Sequence, residues 1–269
     1  MTYSNKFVAV FLIILLFCSG CSARRKALRK MRRNPYRVEM ILVPGTGGFL
    51  AFNMAKYEIS QGQWQKVMGN NPSYFKKHFL KRFEYPVEMV SWEDAQQFVE
   101  KLNERSGFKY RLPYDWEWEH VARGGLDSKG YQYAGSNRIN EVAWHGGNSK
   151  NTTHPAGSKK PNELGIYDMS GNVWEWCIHE DESGDYGVPR GGGWYNGEES
   201  CRVDFRAEAG GDDDRFYSIG LRLVLISYAD DDSSAKGKKA GKKEKRRKSK
   251  AASRREWRRS GSDRKSRWL

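Results

Sequence analysis

Apolar positions change their spacing several times along this chain, and each change marks an element. Phe7 to Phe17 is an unbroken apolar run, shorter than the about 20 residues a membrane-crossing helix needs and of the length of a signal-peptide core. Val38 to Glu58 reads as extended, broken by Val43-Pro44-Gly45 and Gly47-Gly48, with Phe49 to Tyr57 alternating at period two. Ile59 to Met68 switches to helical spacing around Trp64 and is stopped by Gly69-Asn70-Asn71-Pro72. Ser91-x-x-Asp94 has the form of a capping box, and Ala95, Phe98, Val99 and Leu102 fall on one helical face until Ser106-Gly107. Leu112-Pro113 predicts the opening of another helix, filled by Trp116, Trp118, Val121 and Ala122 and halted at Gly124-Gly125.

Beyond Gly125 the helical signal disappears. Residues 126–226 hold most of the chain's 28 glycines, scattered aromatics, and short strand signals only at Arg202–Phe205 and Gly220–Ile226. Such a turn-rich half must draw its stability from aromatic packing, with buried indole and phenol groups needing partners.

Charge divides the chain differently. The formal net charge is +14, from 47 Lys/Arg against 33 Asp/Glu. Residues 236–269 alone hold 17 Lys/Arg against 3 Asp/Glu, and Arg24 to Arg37 adds eight basic residues and no acid. What remains between the arms is net acidic, so affinity for anions belongs to the arms. The last arm is too polar to bury a core and is expected to be disordered after the hinge Asp230-Asp231-Asp232-Ser233-Ser234. Trp257 and Trp268 lie among its arginines, a composition suited to anionic envelope polymers or lipid headgroups, with nucleic acid a lesser expectation. The organisation expected is a signal over 1–20, a basic linker over 21–37, a domain over 38–228 and a polybasic tail over 229–269.

The densest stretch is Pro161 to Trp176, P-N-E-L-G-I-Y-D-M-S-G-N-V-W-E-W. Pro161-Asn162 and Ser170-Gly171-Asn172 are turn chemistry. Asp168 and Glu175 sit across that turn, and their spacing alone is compatible with two solvated acids or with two ligands of a hard cation.

This stretch resembles the signature of the sulfatase-modifying-factor family, whose best-known member is the formylglycine-generating enzyme. The resemblance continues, in family order, through Tyr57-Glu58, Asn71-Pro72-Ser73, Val90-Ser91-Trp92, Arg111-Leu112-Pro113, Glu117-Trp118-Glu119, Arg190-Gly191-Gly192-Gly193-Trp194 and Gly220-Leu221-Arg222. It implies an α+β, irregular, loop-rich formylglycine-generating-enzyme fold, similar to C-type lectins. It also implies Ca²⁺ at the signature, held by the side chains of Asp168 and Glu175 and the carbonyls of Gly171 and Val173. Ser19-Gly20-Cys21 resembles a bacterial lipobox, in which Cys21 receives a lipid and becomes the mature N-terminus. Lipid and basic linker together meet the two-signal requirement for firm membrane anchoring. Outside the cytoplasm disulfides are permitted. The family fold brings the segments of Cys177 and Cys201 toward each other, leaving open a disulfide or two separate buried thiols.

Formylglycine generation needs two cysteines after the R-G-G-S-W segment to hold copper, because soft thiolates suit Cu(I). The corresponding stretch here, Trp194 to Cys201, offers Cys201 alone, so copper is not expected. The five histidines, at 78, 120, 145, 154 and 179, have no metal-ligand spacing. The expectation is a non-catalytic, lipid-anchored binding or scaffold protein at the periplasmic face of an outer membrane, within a secretion or motility assembly and its protein partners. Trp194 and Tyr195 would lie on its recognition face. The competing expectation is a metal-dependent oxidoreductase with Cys201 as its catalytic thiol.

Overall fold

Two hydrogen-bonded sheets carry the domain in the computed structural model, which describes residues 36, 38–45, 50–77, 81, 84–181, 184–207 and 213–228. The first sheet contains β1 (Met40–Val43), β2 (Phe52–Ala55), β3 (Phe108–Arg111) and β7 (Val224–Tyr228), in the order β1-β2-β7-β3. β1 and β2 are antiparallel, with Met40 opposite Ala55 and Val43 opposite Phe52. β2 is antiparallel to β7, with Asn53 opposite Leu225. The second sheet contains β4 (Trp174–Asp181), β5 (Gly184–Arg190) and β6 (Ile219–Leu221), in the order β5-β4-β6. The chain divides into a unit ending at Ser227 and a second, Tyr228–Leu269, of which Tyr228 alone is described.

The helices follow their caps. Helix α1 (Gln61–Met68) starts at Ser60, whose side chain accepts from Gln63 N while the Gln63 side chain accepts from Ser60 N, and ends at Gly69 with φ 89°. Helix α2 (Trp92–Ser106) repeats the device with Ser91 and Asp94 and ends at Gly107 with φ 67°. Its buried face is Ala95, Phe98, Val99 and Leu102 with Trp92, as the spacing predicts. Each large apolar side chain so buried contributes about 1.5–3 kcal/mol. Trp64 of α1 stacks on Phe98 of α2 with ring centroids 4.9 Å apart. Helix α3 (Asp115–Ala122) begins two residues after Pro113, with Tyr114 at its N-cap, a later start than predicted. A single-turn α4 (Ile139–Val142) follows.

The second half departs from the sequence reading. Strands β4 and β5 pair antiparallel over their whole lengths, with Glu175 opposite Arg190 and Cys177 opposite Val188. Arg202–Phe205, expected as a strand, follows a 3₁₀ turn over Glu199–Cys201 and is largely turn. Gly220–Ile226, expected as one strand, is split into β6 and β7 around Arg222 and Leu223. The core gathers Met54, Trp118, Val121, Ile166, Met169, Cys177 and Val224 between the sheets and α3. Among the described residues no helix is long and apolar enough to cross a membrane. The signal over 1–20, Cys21, nearly all of the basic linker and the tail over 236–269 lie outside the described residues.

Candidate functional site: a buried charge cluster and an aromatic face

The signature stretch folds as a chain of left-handed turns. Gly165, Asp168, Gly171 and Asn172 all have positive φ, 79°, 57°, 79° and 65°. Gly171 has no alternative, since a Cβ there would collide with the carbonyl oxygen of Trp144. Asn162 closes the first turn by accepting from Leu164 N and Ile166 N and ties it to α3 by donating to Val121 O at 2.7 Å. Asn172 donates to Glu58 Oε2 at 2.7 Å and accepts from His154 N at 3.0 Å. Ser170 accepts from Ala134 N and donates to Cys201 O. The signature is therefore the hub through which distant loops are joined.

Around that hub three carboxylates share one guanidinium. Arg222 and Glu175 are both buried, and Arg222 donates from Nη2 to Glu175 Oε1 at 2.6 Å and from Nε to Oε2 at 2.9 Å. Trp118 Nε1 donates to the same Oε2 at 2.7 Å. Arg222 also donates to the carbonyls of Ala55 and Tyr167. Burial works against its charge, but Glu175, Glu58 and Asp168 outweigh that and hold its pKa above the usual arginine value. Glu58 is pushed well above the carboxylate range by burial and by Asp168 and Glu175. Asp168 rises to about 6, chiefly through burial, with Glu175 adding and the Gly157 amide and Arg222 opposing.

Of the expected cation ligands, the structure brings Asp168 and Glu175 into one buried cluster. Asp168 fits a cation: its Oδ2 accepts from Gly157 N at 2.6 Å, while Oδ1 is buried with no hydrogen-bond partner. Glu175 is placed differently from the expectation, because both its oxygens are already taken by Arg222 and Trp118. Among the described residues no three His, Cys, Asp or Glu side chains converge as a metal site, so a cation here would depend on backbone carbonyls.

Of the two alternatives left open for the cysteines, the structure has the second, two separate buried thiols. Cys177 and Cys201 are both free and buried, because they sit in different packing clusters. Cys177 joins the main core, and Cys201 packs with Tyr133, Ile139, Val142 and Ala143. Cys201, the catalytic candidate, has its thiol pushed up to about 12 by burial and by Glu198, with the Gly171 backbone drawing it down slightly. Cys177 is likewise raised, mainly by burial. Neither is a thiolate near neutrality.

Among the described residues, three histidines meet separate partners. His145 meets Asn140 at 3.0 Å, His154 stacks on Trp144 with centroids 3.7 Å apart, and His179 meets Asp115 at 3.2 Å.

Near Cys201's loop, rings crowd the surface. Trp194 contacts Tyr195, Tyr217 and Phe75, with centroids 5.3, 5.6 and 5.2 Å apart. Tyr217 also meets Tyr195 and Tyr74. Tyr74 is 71% exposed, and Tyr195, Tyr217 and Phe216 are each 42–46% exposed, so this is accessible aromatic surface rather than core. Beside it lies a cleft of about 200 Å³ walled by Trp174, Tyr195 and Phe216 with Asn196 and Ser218 as polar groups. Asn196 Oδ1 accepts from Trp174 Nε1 and Gly193 N, and Trp194 Nε1 donates to Tyr217 O. Of the two residues expected on a recognition face, Tyr195 is exposed, whereas Trp194 is buried beneath the neighbouring rings. Tyr74, Phe75, Phe216 and Tyr217 were not anticipated; each belongs to an aromatic pair set in a polar stretch of the sequence.

A sulfatase-modifying factor enzyme 1-like domain matches residues 37–226. A chaperone protein LppX from Paenibacillus barcinonensis is 34% identical over 209 residues, covering 57% of this chain and 73% of that protein. An inactive C-alpha-formylglycine-generating enzyme 2 from Bos taurus is 33% identical over 130 residues, and the formylglycine-generating enzyme of Thermomonospora curvata 37% over 107. The chain spans 40% of the bovine protein and 33% of the Thermomonospora enzyme, matching with 42% and 35% of its own length. Among solved structures, Treponema denticola variable protein 1 superposes with a TM-score of 0.59 at 27% identity over 70% of this chain and 92% of its own. CarF superposes with a TM-score of 0.59 at 23% identity, covering 71% of this chain and 98% of its own, and speaks to the fold alone. With a buried turn hub, an α+β frame around it and this match over most of its domain, the chain belongs to the sulfatase-modifying factor enzyme 1-like family.

Proposed function

We propose that this chain is a non-catalytic recognition or scaffold member of its family, presenting the aromatic face built on Trp194, Tyr195, Phe216 and Tyr217. The carrying observation is the state of Cys201: the thiol of the stretch where the reaction would need two is fully buried and pushed up to about 12. Copper chemistry there would require a thiolate pair. Relatives named as inactive and as a chaperone support a binding role.

The finer parts of this reading rest on the sequence. The chain is anchored by a lipid on Cys21 at the periplasmic face of an outer membrane, where it takes part in a secretion or motility assembly. Residues 236–269 hold anionic envelope polymer or lipid. A calcium ion at the signature turn is held by Asp168 through Oδ1 with the carbonyls of Gly171 and Val173, and Glu175 shares its charge between Arg222 and the ion. Such a cation would favour the ionised forms of Asp168 and Glu58, which burial and their neighbours hold toward protonation.

The test is metal analysis and thiol labelling of the full chain purified without chelator. Calcium without copper, and a Cys201 that reacts only after denaturation, supports the scaffold. Stoichiometric copper with a reactive Cys201 overturns it and favours the oxidoreductase.

A further inference from the structure

We propose that Glu88 is the positioning residue of the aromatic face, fastening the Tyr74–Phe75 loop against Trp194 and Tyr217. The proposal rests on the recognition reading of that face.

Glu88 is buried, and it is placed between the bridge at Pro86 and the α2 cap at Ser91. Its Oε2 accepts from Tyr74 N and its Oε1 from Phe75 N, both at 2.9 Å. Its own N–H donates to Ser73 Oγ at 3.3 Å. Three consecutive loop residues are thus tied to one residue far along the chain. The next residue, Met89, takes a positive φ of 62° and donates its N–H to Phe216 O at 3.0 Å. Residues 88 and 89 therefore hold two separate loops, and those loops meet ring to ring. Phe75 stands edge-on to Trp194, and Tyr74 lies 6.2 Å from Tyr217.

A buried carboxylate is an expensive way to hold a loop if packing is all that is needed. What it offers is two acceptors aimed at adjacent amides, which a hydrophobic side chain lacks. Lys77 is a charged side chain acting on it, and Ser73 adds a hydrogen bond. Burial lifts the carboxyl to about 7, against the pull of the two amides, Ser73 and Lys77. Ionised, both oxygens accept. Protonated, one oxygen becomes a hydroxyl whose hydrogen neither amide can receive, and both ties lose the charge that strengthened them, the one to the hydroxyl most. The face is consequently fastened above neutrality and slackened below it. Gln61 keeps the loop attached in either state, donating to Phe75 O and accepting from Asn71 Nδ2 and Lys77 N, so a Glu88 variant still folds.

Hydrogen exchange read by mass spectrometry on the full chain tests this without any ligand. Peptides covering residues 72–78 are compared between wild type, Glu88→Gln and Glu88→Ala from pH 6 to 8, after correction for intrinsic exchange. Wild type is expected to gain about tenfold protection across that range, the size of one charge-assisted hydrogen bond. Glu88→Gln should be flat with pH, and Glu88→Ala should leave the Tyr74 and Phe75 amides unprotected throughout while Lys77 N keeps its bond to Gln61. Equal protection in wild type and Glu88→Gln at every pH overturns the proposal. Failure of the recognition reading would appear instead as copper and a reactive Cys201, with exchange at 72–78 unaffected.

Discussion

Arg222 closes on Glu175 from 47 positions along the chain, offering Nη2 to one carboxylate oxygen and Nε to the other. Both side chains are buried, and Glu58 and Asp168 add charge of the same sign as Glu175. Removing one partner of such a pair leaves a buried charge uncompensated, at about 3–5 kcal/mol. Arg222→Met should therefore lower stability in urea titration by that amount. The double variant with Glu175→Gln should recover part of it, because the stranded carboxylate is gone.

Calcium should act through Asp168 in a pH-dependent way. Its folded pKa of about 6 lies above that of an exposed aspartate, so its contribution to stability is complete below about pH 4 and is lost as pH rises through 6. A cation binding the ionised form reverses that loss. Thermal unfolding at pH 7.5 should shift upward on adding calcium, by about 2.7 kcal/mol at a hundredfold excess over Kd. At pH 5 the shift should shrink toward zero, and Asp168→Asn should abolish it at both.

Thiol labelling should find Cys177 and Cys201 silent in the native protein and reactive in denaturant, with no mass change on reduction. Their burial in separate clusters sets this outcome. Rapid labelling of either cysteine under native conditions would contradict it.

Gly171→Ala should be among the most damaging small substitutions. It places a methyl group against the Trp144 carbonyl at a residue with φ 79°, combining strain with a collision that backbone must absorb. A loss of about 3 kcal/mol or failure to fold is expected. Gly165→Ala, with nothing near its added carbon, should cost only the backbone strain.

Local chemistry made the first half legible. Ser91 with Asp94 is a cap that needs nothing beyond four neighbouring residues, and Gly69 and Gly107 end their helices by the same local logic. The β4–β5 pairing was hidden because Gly184, Gly187 and Pro189 read as breakers. Their strand conformation is supplied by partners, Pro189 lying opposite Trp176 and β6 pairing parallel to β4 from over forty residues away. At the site, Asp168 and Glu175 stood out as acids in a turn. The guanidinium that meets Glu175, and the use of Glu88 to hold two amides, depend on tertiary neighbours that no spacing rule reports.

Arg222 also sets an order of assembly. The acids that act on it are residues 58, 168 and 175, with Glu175 its hydrogen-bonded partner, and the β7 strand that pairs with β2 begins at Val224. During synthesis the chain thus holds its acidic residues long before their counter-charge emerges, and long-range pairing of this kind is slow to form. The buried ion pair and the β2–β7 pairing can complete only once this last stretch of the domain is present. The acids of the signature thus depend for their counter-charge on a residue near the end of the domain, 47 positions beyond Glu175.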